Sequence, residues 1–169
     1  MGYRTPTWCV VVTFILSLIG LGVAIFLTIA HYTSTSILAC SSTGTIDCAA
    51  VTTSAQSVIL GIPVAVLGVV NFVAMVVLNS PWAWFAKSPL VHKARIVLVG
   101  VSMAFVLWLV YAELIIINHI CLYCTSVHVI TFALFIIVCL MNPIRINGIR
   151  GFVSEGGEAS VDEVSLQNR

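Results

Sequence analysis

The sequence predicts an all-α membrane protein: a bundle of four transmembrane helices with a cysteine-bearing loop on the exoplasmic side. Two observations predict this class. Hydrophobic residues make up 60% of the 169 residues and charged residues only 8%, whereas soluble domains carry roughly 25% charged residues. Four apolar stretches, residues 8–30, 60–78, 94–117 and 122–141, each approach the roughly 20 residues that a helix needs to cross a bilayer.

The first apolar stretch predicts a retained helix rather than a cleaved signal peptide. Its apolar region is too long, and no small-x-small cleavage site followed by a soluble domain appears. Gly20 and Gly22 lie near its middle, where glycine lets neighbouring helices approach closely. A hydroxyl-rich loop, residues 31–59, follows, and its segment "CAAVTTSAQS" predicts a short helix that lies on the bundle.

The second span is predicted to begin at Leu60, with Gly61 and Pro63 in its first turn, where the missing N–H of proline costs little. The segment "NSPWAWFAKSP" predicts a cytoplasmic turn in which Trp82 and Trp84 are interfacial anchors. Only "NHI" separates the third span from the CxxC pair that opens the fourth. The last two spans are therefore expected to be antiparallel neighbours.

Basic residues predict the orientation, because they collect on the cytoplasmic side of a membrane protein. With four spans, all seven fall on one side, and the 31–59 loop and the turn near Asn118 contain none. Both termini are therefore expected to be cytoplasmic: an N-terminal segment 1–7, a catalytic domain 8–142, and a polar tail 143–169 that we expect to be disordered. A net charge of +1 and the absence of a basic stripe give no case for nucleic acid. The seven basic residues are Arg4, Lys87, Lys93, Arg95, Arg145, Arg150 and Arg169.

The six cysteines divide into two groups. Four lie at the predicted exoplasmic face, where disulfides persist: Cys40, Cys48, Cys121 and Cys124. Cys9 and Cys139 lie near the opposite ends of their spans and are expected to pack as small hydrophobic side chains.

The spacing of Cys121 and Cys124 puts both on one helical face, in the first turn of the last span. Unpaired N–H groups and the helix dipole there favour a thiolate, which is the reactive form of cysteine. Cys40 and Cys48 lie on a loop rich in glycine and serine. A mobile dithiol beside a fixed one indicates electron relay by thiol–disulfide exchange, starting from a soluble thiol protein.

The electron acceptor is expected to be a lipid-soluble quinone, which takes two electrons and two protons. Cys124 should face the bundle interior, and the chain has no cofactor-binding motif. His128, one turn deeper on the same face, is expected to hydrogen-bond a quinone carbonyl and help supply a proton, or else to be a packed, hydrogen-bonded histidine of the bundle. Glu113, near the exoplasmic end of the third span, is a candidate proton relay or else a bond to a neighbouring helix.

Two other readings of the cysteines stay open. The pairs can be two structural disulfides without turnover, since four cysteines allow three connectivities. With His128 or His119, they can also form a zinc or copper(I) site. The wide Cys40 to Cys48 spacing is unusual for metal ligands, and we therefore expect no metal.

Three segments carry a resemblance to a known family: "ACSSTGTIDCAAVTTS", "LGIPVAVLG" and "YAELIIINHICLYCTSVH". Together they resemble the vitamin K epoxide reductase family, specifically its bacterial homologues, over about residues 8–141. The resemblance rests on a loop cysteine pair, a nearby serine, a GIP-type start to the second span, and a CxxC pair opening the last helix. DsbB-like proteins carry these cysteine pairs in the reverse order, which favours the former family.

The resemblance implies a four-helix bundle around a quinone, with the loop as a cap. It implies that Cys40 and Cys48 form a shuttle pair, that Cys48 exchanges with Cys121, and that Cys124 lies next to the quinone.

The resemblance also implies roles for three further residues. Ser54 matches the serine after the second loop cysteine, and Ser57 falls where vertebrate members have a quinone-bonding asparagine. His128 falls where those members have a tyrosine that bonds the other side of the ring. Ser57 and His128 therefore depart from the vertebrate pattern.

Many bacterial members of this family carry a fused thioredoxin-like domain, whereas this chain ends in a short tail. The resemblance therefore implies a separate exported DsbA-like or thioredoxin-like partner, and a role in disulfide formation at the plasma (inner) membrane. The quinone is expected to be of the menaquinone or ubiquinone type. The alternative within the family is a vitamin K quinone or epoxide reductase proper.

Overall fold

The computed structural model describes residues 6–34, 37–38, 40, 44–86 and 88–141. The predicted tail 143–169 and most of the N-terminal segment 1–7 lie outside the described residues. So do five of the seven basic residues: Arg4, Lys87, Arg145, Arg150 and Arg169.

Apolar helices form most of the described chain, as expected for a helical membrane protein. Three segments, Thr7–Tyr32, Pro89–Ile117 and Leu122–Met141, are long and apolar enough to cross a membrane. The helix that corresponds to the second predicted span has only 15 residues, about 22 Å at ~1.5 Å per residue, against a hydrocarbon core of about 30 Å. The helices are α1 (Thr7–Tyr32), α2 (Cys48–Thr52), α3 (Val64–Leu78), α4 (Pro81–Phe85), α5 (Pro89–Tyr111) and α6 (Leu122–Met141).

The four longer helices pack in a ring in the order α1, α3, α5, α6. Helix α1 packs against both α3 and α6, and α5 packs against the same two helices. Helices α3 and α6 therefore face each other across the ring. The predicted antiparallel packing of the last two spans is confirmed, and α5 begins at Pro89, before the predicted start at residue 94, with proline in the first turn where it is tolerated.

Gly20 allows α3 to pack tightly against α1. A Cβ atom at Gly20 would overlap the ring of Phe72, a core side chain that is 1% exposed. A Cβ atom at Gly22 would have nothing within 4 Å. The predicted packing role is therefore confirmed for Gly20, and Gly22 faces open space.

The segment before α3 is a β-hairpin, so the predicted start of the second span at Leu60 is wrong. Strand β1 (Val58–Ile59) pairs antiparallel with β2 (Ile62–Pro63). Leu60 and Gly61 form the turn with φ of 52° and 81°, a left-handed backbone that a right-handed helix cannot contain. The apolar composition of this segment hid the turn, because leucine rarely adopts positive φ.

The loop between α1 and α3 carries the predicted short helix on the bundle. Helix α2 is one turn long, and Asp47 caps it by accepting a hydrogen bond from the Ala50 backbone N–H at 2.9 Å. A 3₁₀ turn, Ala55–Ser57, follows. The prediction of a helix in "CAAVTTSAQS" is confirmed, with a break after Thr52.

A polar cluster joins the helices at the end of the ring remote from the cysteine pairs. Arg95 is buried and donates from Nε and Nη2 to the Leu78 carbonyl at 2.9 and 2.6 Å, which satisfies an unpaired carbonyl at the end of α3. Its guanidinium lies 3.9 Å from the Trp84 ring centre, and Trp84 Nε1 donates to Thr13 Oγ1 at 3.2 Å. Trp84 is therefore a core residue and not the predicted interfacial anchor, whereas Trp82 is 78% exposed.

Replacing Gly20 by alanine is expected to lower the free energy of unfolding by roughly 1–3 kcal/mol, because the added methyl group displaces the Phe72 ring. The matched control Gly22→Ala should leave stability unchanged or raise it slightly, since alanine is the better helix former. Thermal unfolding in detergent, followed by circular dichroism, measures both variants. Equal melting temperatures for the two would contradict the packing role of Gly20.

Candidate functional site

Cys121 is the residue at which the last helix begins. Its carbonyl accepts a hydrogen bond from the Thr125 backbone N–H at 2.9 Å, and its sulfur accepts one from the Cys124 backbone N–H at 3.4 Å. Cys121 therefore lies at the N-cap, one residue before the predicted first turn, while Cys124 lies within that turn. The unpaired N–H groups of the helix end point at this sulfur.

The hydrogen bond from the Cys124 thiol lowers the pKa of the Cys121 thiol below its usual value. The backbone N–H groups of Cys124 and Tyr123 lower this pKa further, and burial opposes them. Hydrogen bonds to a thiolate stabilise the charged form over the neutral one. Cys121 is therefore the cysteine of the pair that more readily carries the negative charge, a distinction that the helix-end argument from the sequence did not make.

The loop cysteines are joined to each other, while the CxxC cysteines are not. Cys40 and Cys48 form a disulfide with 5.9 Å between their Cα atoms, and Cys121 and Cys124 are free thiols. Cys48 is 1% exposed, whereas Cys40 is half-buried. Cys48 and Cys121 belong to one buried cluster, so the fold brings the second loop cysteine to the first cysteine of the CxxC pair.

Two backbone hydrogen bonds hold the cysteine loop to the turn before α6. The Asp47 N–H donates to the Ile120 carbonyl at 3.2 Å, and the Ile120 N–H donates to the Thr45 carbonyl at 2.8 Å. Ile46 and Ile120 are thereby paired in a parallel bridge. Cys121 follows Ile120 directly and the second loop cysteine follows Asp47, so this bridge sets the register between the two cysteine pairs.

A cavity of about 300 Å³ lies between the helices and beneath the loop, at the lower end of the range for small-molecule sites. Cys124 and His128 both line it, as predicted for two residues one turn apart on α6. His128 is 8% exposed, and none of the residues that the structure describes hydrogen-bonds its ring. The walls are mainly apolar, with contributions from Leu27, Val51, Ala65 and Phe105.

Glu113 reaches the cavity because the third span changes its helical form. Beyond Tyr111, α5 continues as a π-helix, Ala112–Ile117, a form common at functional sites. Glu113 is 6% exposed, and its carboxyl group interacts with the Cys124 side chain and the Cys121 backbone amide. The π-helix ends at Asn118, whose left-handed backbone (φ 57°) turns the chain towards the bridge.

Ser54 and Ser57 also line the cavity, at the level of the loop. The Ser54 hydroxyl donates to the Val51 carbonyl at 2.8 Å, and the Ser57 hydroxyl donates to the Ser54 carbonyl at 2.7 Å. Each hydroxyl has one hydrogen, so in this arrangement both serines have only lone pairs left to offer a ligand.

Several polar residues of the cavity lining were not predicted from the sequence. One signal was available for two of them: Asn71 and Ser102 are polar residues inside long apolar helices, where such residues are costly and often functional. The others gave no signal, because histidine, glutamine and threonine near a loop are ordinary, and a threonine inside a helix can hydrogen-bond its own backbone. They are His31, Thr52, Gln56 and Thr131.

The remaining candidates lie apart from this cavity lining. Cys9 is buried, as its predicted packing role requires, and Cys139 is half-buried on α6. His119 lies in the turn before α6, and its buried Nδ1 has no partner within the described residues. In that part of the chain, no group of three or more His, Cys, Asp or Glu residues is placed to hold a metal ion.

Comparisons with known proteins bear on the same segment of the chain. Comparison with curated proteins finds no match. Residues 11–139 match the vitamin K epoxide reductase family, and this range contains both cysteine pairs, the bridge and every residue of the cavity. The matched range covers most of the 169 residues, and the chain therefore belongs to the vitamin K epoxide reductase family.

Proposed function

We propose that the protein is a membrane thiol:quinone oxidoreductase that supports disulfide formation in exported proteins. It takes electrons from a DsbA-like or thioredoxin-like partner and reduces a menaquinone- or ubiquinone-type quinone. One observation carries this proposal: Cys121 is buried in one cluster with Cys48, while Cys124, three residues on, lines the cavity. The family supports the general reaction, because it is an oxidoreductase family associated with quinones and thiol partners.

The proposed topology has four spans, with α3 as the second and with the cysteine pairs on the exoplasmic side of the inner membrane. Helix α3 is short, but it lies in the ring between two full-length spans. The apolar hairpin before it extends the segment by six residues, Val58–Pro63. Five residues of the loop line the cavity and form its cap in this proposal: Val51, Thr52, Ser54, Gln56 and Ser57.

The first step is attack by a partner thiolate on Cys40. Cys40 is the accessible sulfur of the loop disulfide, since Cys48 is 1% exposed. Attack forms a mixed disulfide between the partner and Cys40 and releases the Cys48 thiolate. The second partner thiol then displaces Cys40, so the partner leaves as a disulfide and the loop becomes a dithiol.

The second step passes the electrons from the loop to the CxxC pair. The Cys48 thiolate attacks Cys121 of an oxidised CxxC pair and releases the Cys124 thiolate. Cys40 then attacks Cys48, restores the loop disulfide and releases Cys121. A thiol with a lowered pKa leaves more readily, which suits Cys121. The observed state, with the loop oxidised and the CxxC pair reduced, corresponds to the end of this step.

The third step is reduction of the quinone. Oxidation of Cys121 and Cys124 to a disulfide releases two electrons and two protons, which convert a quinone to a quinol. A hydrogen bond from His128 stabilises charge that develops on a carbonyl oxygen. Glu113 holds the proton of the Cys124 thiol while Cys124 is a thiolate and delivers it to the reduced ring, and the lone pairs of Ser54 and Ser57 can receive a hydroxyl of the quinol.

Purified protein is expected to form quinol anaerobically when given a reduced thioredoxin-like donor and menaquinone or ubiquinone. Separate Cys48→Ala and Cys124→Ala variants should lose this turnover, while a Cys9→Ala, Cys139→Ala double variant keeps it. Glu113→Gln should slow quinol formation without slowing reduction of the loop disulfide. Absorbance follows quinol formation. Vitamin K epoxide is a third acceptor, and chromatography follows its reduction to the quinone and water. No turnover with any acceptor would return the cysteines to a structural or metal-binding role.

A double variant, Cys40→Ala with Cys124→Ala, is expected to trap a disulfide between Cys48 and Cys121 under mild oxidation, because those two sulfurs share one buried cluster. Peptide mass spectrometry identifies the bond.

The matched control for the trapped disulfide is Cys48→Ala with Cys124→Ala, which leaves Cys40 and Cys121. Both variants also carry Cys9→Ala and Cys139→Ala. Equal cross-linking in the two variants would contradict the proposed route through Cys48.

The Cys121 thiol is expected to ionise at a lower pH than an ordinary thiol, whose pKa is about 8.5. In Cys124→Ala the hydrogen bond that stabilises the thiolate is gone, so the midpoint should move to higher pH. Ultraviolet absorbance of the thiolate measures both titrations, with Cys121→Ala as the blank. An unchanged midpoint in Cys124→Ala would show that the neighbouring thiol does not stabilise the charge.

A further inference from the structure

Asn71 is an amide side chain within the apolar helix α3, and it lines the same cavity as Cys124 and His128. Its Oδ1 accepts a hydrogen bond from the Ser102 hydroxyl of α5 at 2.7 Å. Its Nδ2 has no hydrogen-bond partner among the residues that the structure describes. The hydrogen bond from Ser102 thus orients the amide and leaves the Nδ2 hydrogens of Asn71 free to donate to a ligand in the cavity.

Asn71 and His128 lie on helices that face each other across the ring. Asn71 is seven residues beyond the start of α3, and His128 is six residues beyond the start of α6. At ~1.5 Å per residue, both lie roughly 10 Å below the loop end of their helices. A flat ring held between α3 and α6 therefore meets an amide on one side and an imidazole on the other.

The other polar groups of the cavity are less suited to hold the second oxygen of a quinone ring. The hydroxyl hydrogens of Ser54 and Ser57 are bonded to backbone carbonyls. His31 and Gln56 lie near the end of α1 and in the loop, at the level of the cap. Thr131 donates to the Val127 carbonyl of its own helix at 2.9 Å.

Resting on the proposed function, we propose that Asn71, oriented by Ser102, binds the second quinone oxygen opposite His128. Asn71 thereby takes the position that the family resemblance gives to Ser57. It holds the ring in the plane between α3 and α6, where Cys124 lies one turn above His128.

The hydroxyl of Ser102 allows Asn71 to bind both the quinone and the quinol. Ser102 Oγ lies 2.7 Å from Asn71 Oδ1 and also 2.7 Å from the Leu98 carbonyl, but a hydroxyl has one hydrogen. While Ser102 donates to Asn71, the amide presents Nδ2 to a quinone. When Ser102 donates to Leu98, the amide can turn, give Nδ2 to Ser102 and present Oδ1 to a quinol hydroxyl.

The test uses the full chain with a one-prenyl menaquinone labelled with ¹³C at one carbonyl carbon or the other. Infrared difference spectra report each carbonyl separately, because a hydrogen bond lowers the stretching frequency of the carbonyl that accepts it. In Asn71→Leu, one carbonyl band should move up while the other stays. In His128→Phe, the other band should move.

Kinetics provide the second readout. Asn71→Leu is expected to raise the KM for the quinone about tenfold, the cost of one hydrogen bond, with reduction of the loop disulfide by the thiol donor unchanged. Ser102→Ala should shift the same carbonyl band by less and raise the KM by a smaller factor. Ser126→Ala is the matched control, since its hydroxyl bonds the Tyr123 carbonyl and does not line the cavity.

The outcomes separate this inference from the proposed function. If wild-type protein reduces quinone but Asn71→Leu leaves both carbonyl bands and the KM unchanged, the role of Asn71 is wrong and the oxidoreductase remains. If wild-type protein reduces no quinone and shows no perturbed carbonyl band, the proposed function itself fails. If Asn71→Leu does not fold, the Ser102→Ala variant tests the inference instead. Carbonyl bands and a quinone KM equal to those of the wild type in Ser102→Ala would overturn the inference.

Discussion

The pairing of the cysteine loop with the turn before α6 is the constraint on which the rest of the site depends. The loop joins α1 to α3, and the regular elements in the part of it that the structure describes are short, so this part needs contacts outside itself to hold it in place. Two backbone hydrogen bonds between Thr45, Asp47 and Ile120 supply that structure. Because they are main-chain bonds, they fix the register of Cys48 and Cys121 irrespective of the side chains nearby.

Two helix ends meet at this bridge, and both carry a cysteine. Asp47 pairs with the turn through its backbone N–H and caps α2 through its side chain, so one residue places Cys48 at the start of a helix. Cys121 lies one residue before the start of α6, at its N-cap, and its sulfur accepts a hydrogen bond there. Helix ends favour negative charge, so in the proposed exchange a thiolate of Cys121 would be stabilised where it forms.

The cavity is a consequence of how the ring of helices closes. Gly20 draws α3 against α1, and the Arg95 cluster ties α3, α4 and α5 together at the far end. At the cysteine end the packing is interrupted, because the π-helix turns Glu113 inward and the hairpin delays the start of α3. The space left there is lined by apolar walls and a few polar groups, which suits a flat ring with two oxygens.

The sequence by itself determined the class of the protein, the spacing of its cysteines and the helical face that joins Cys124 to His128, while the structure decided that Cys40 is bonded to Cys48. These follow from composition and from short spacings, which local geometry fixes without knowledge of the fold. It also indicated the family through three short segments, each of which can be recognised by itself. Helix boundaries were less certain: the hairpin at Leu60 was hidden because its residues are as apolar as those of a span. Only the tertiary structure decided which residues from different helices face one cavity, that Trp84 is buried beneath Arg95, and that Asn71 meets Ser102. Asn71 and Ser102, for example, are 31 residues apart, and such contacts depend on helix rotation and crossing, which a pattern of single residues does not specify.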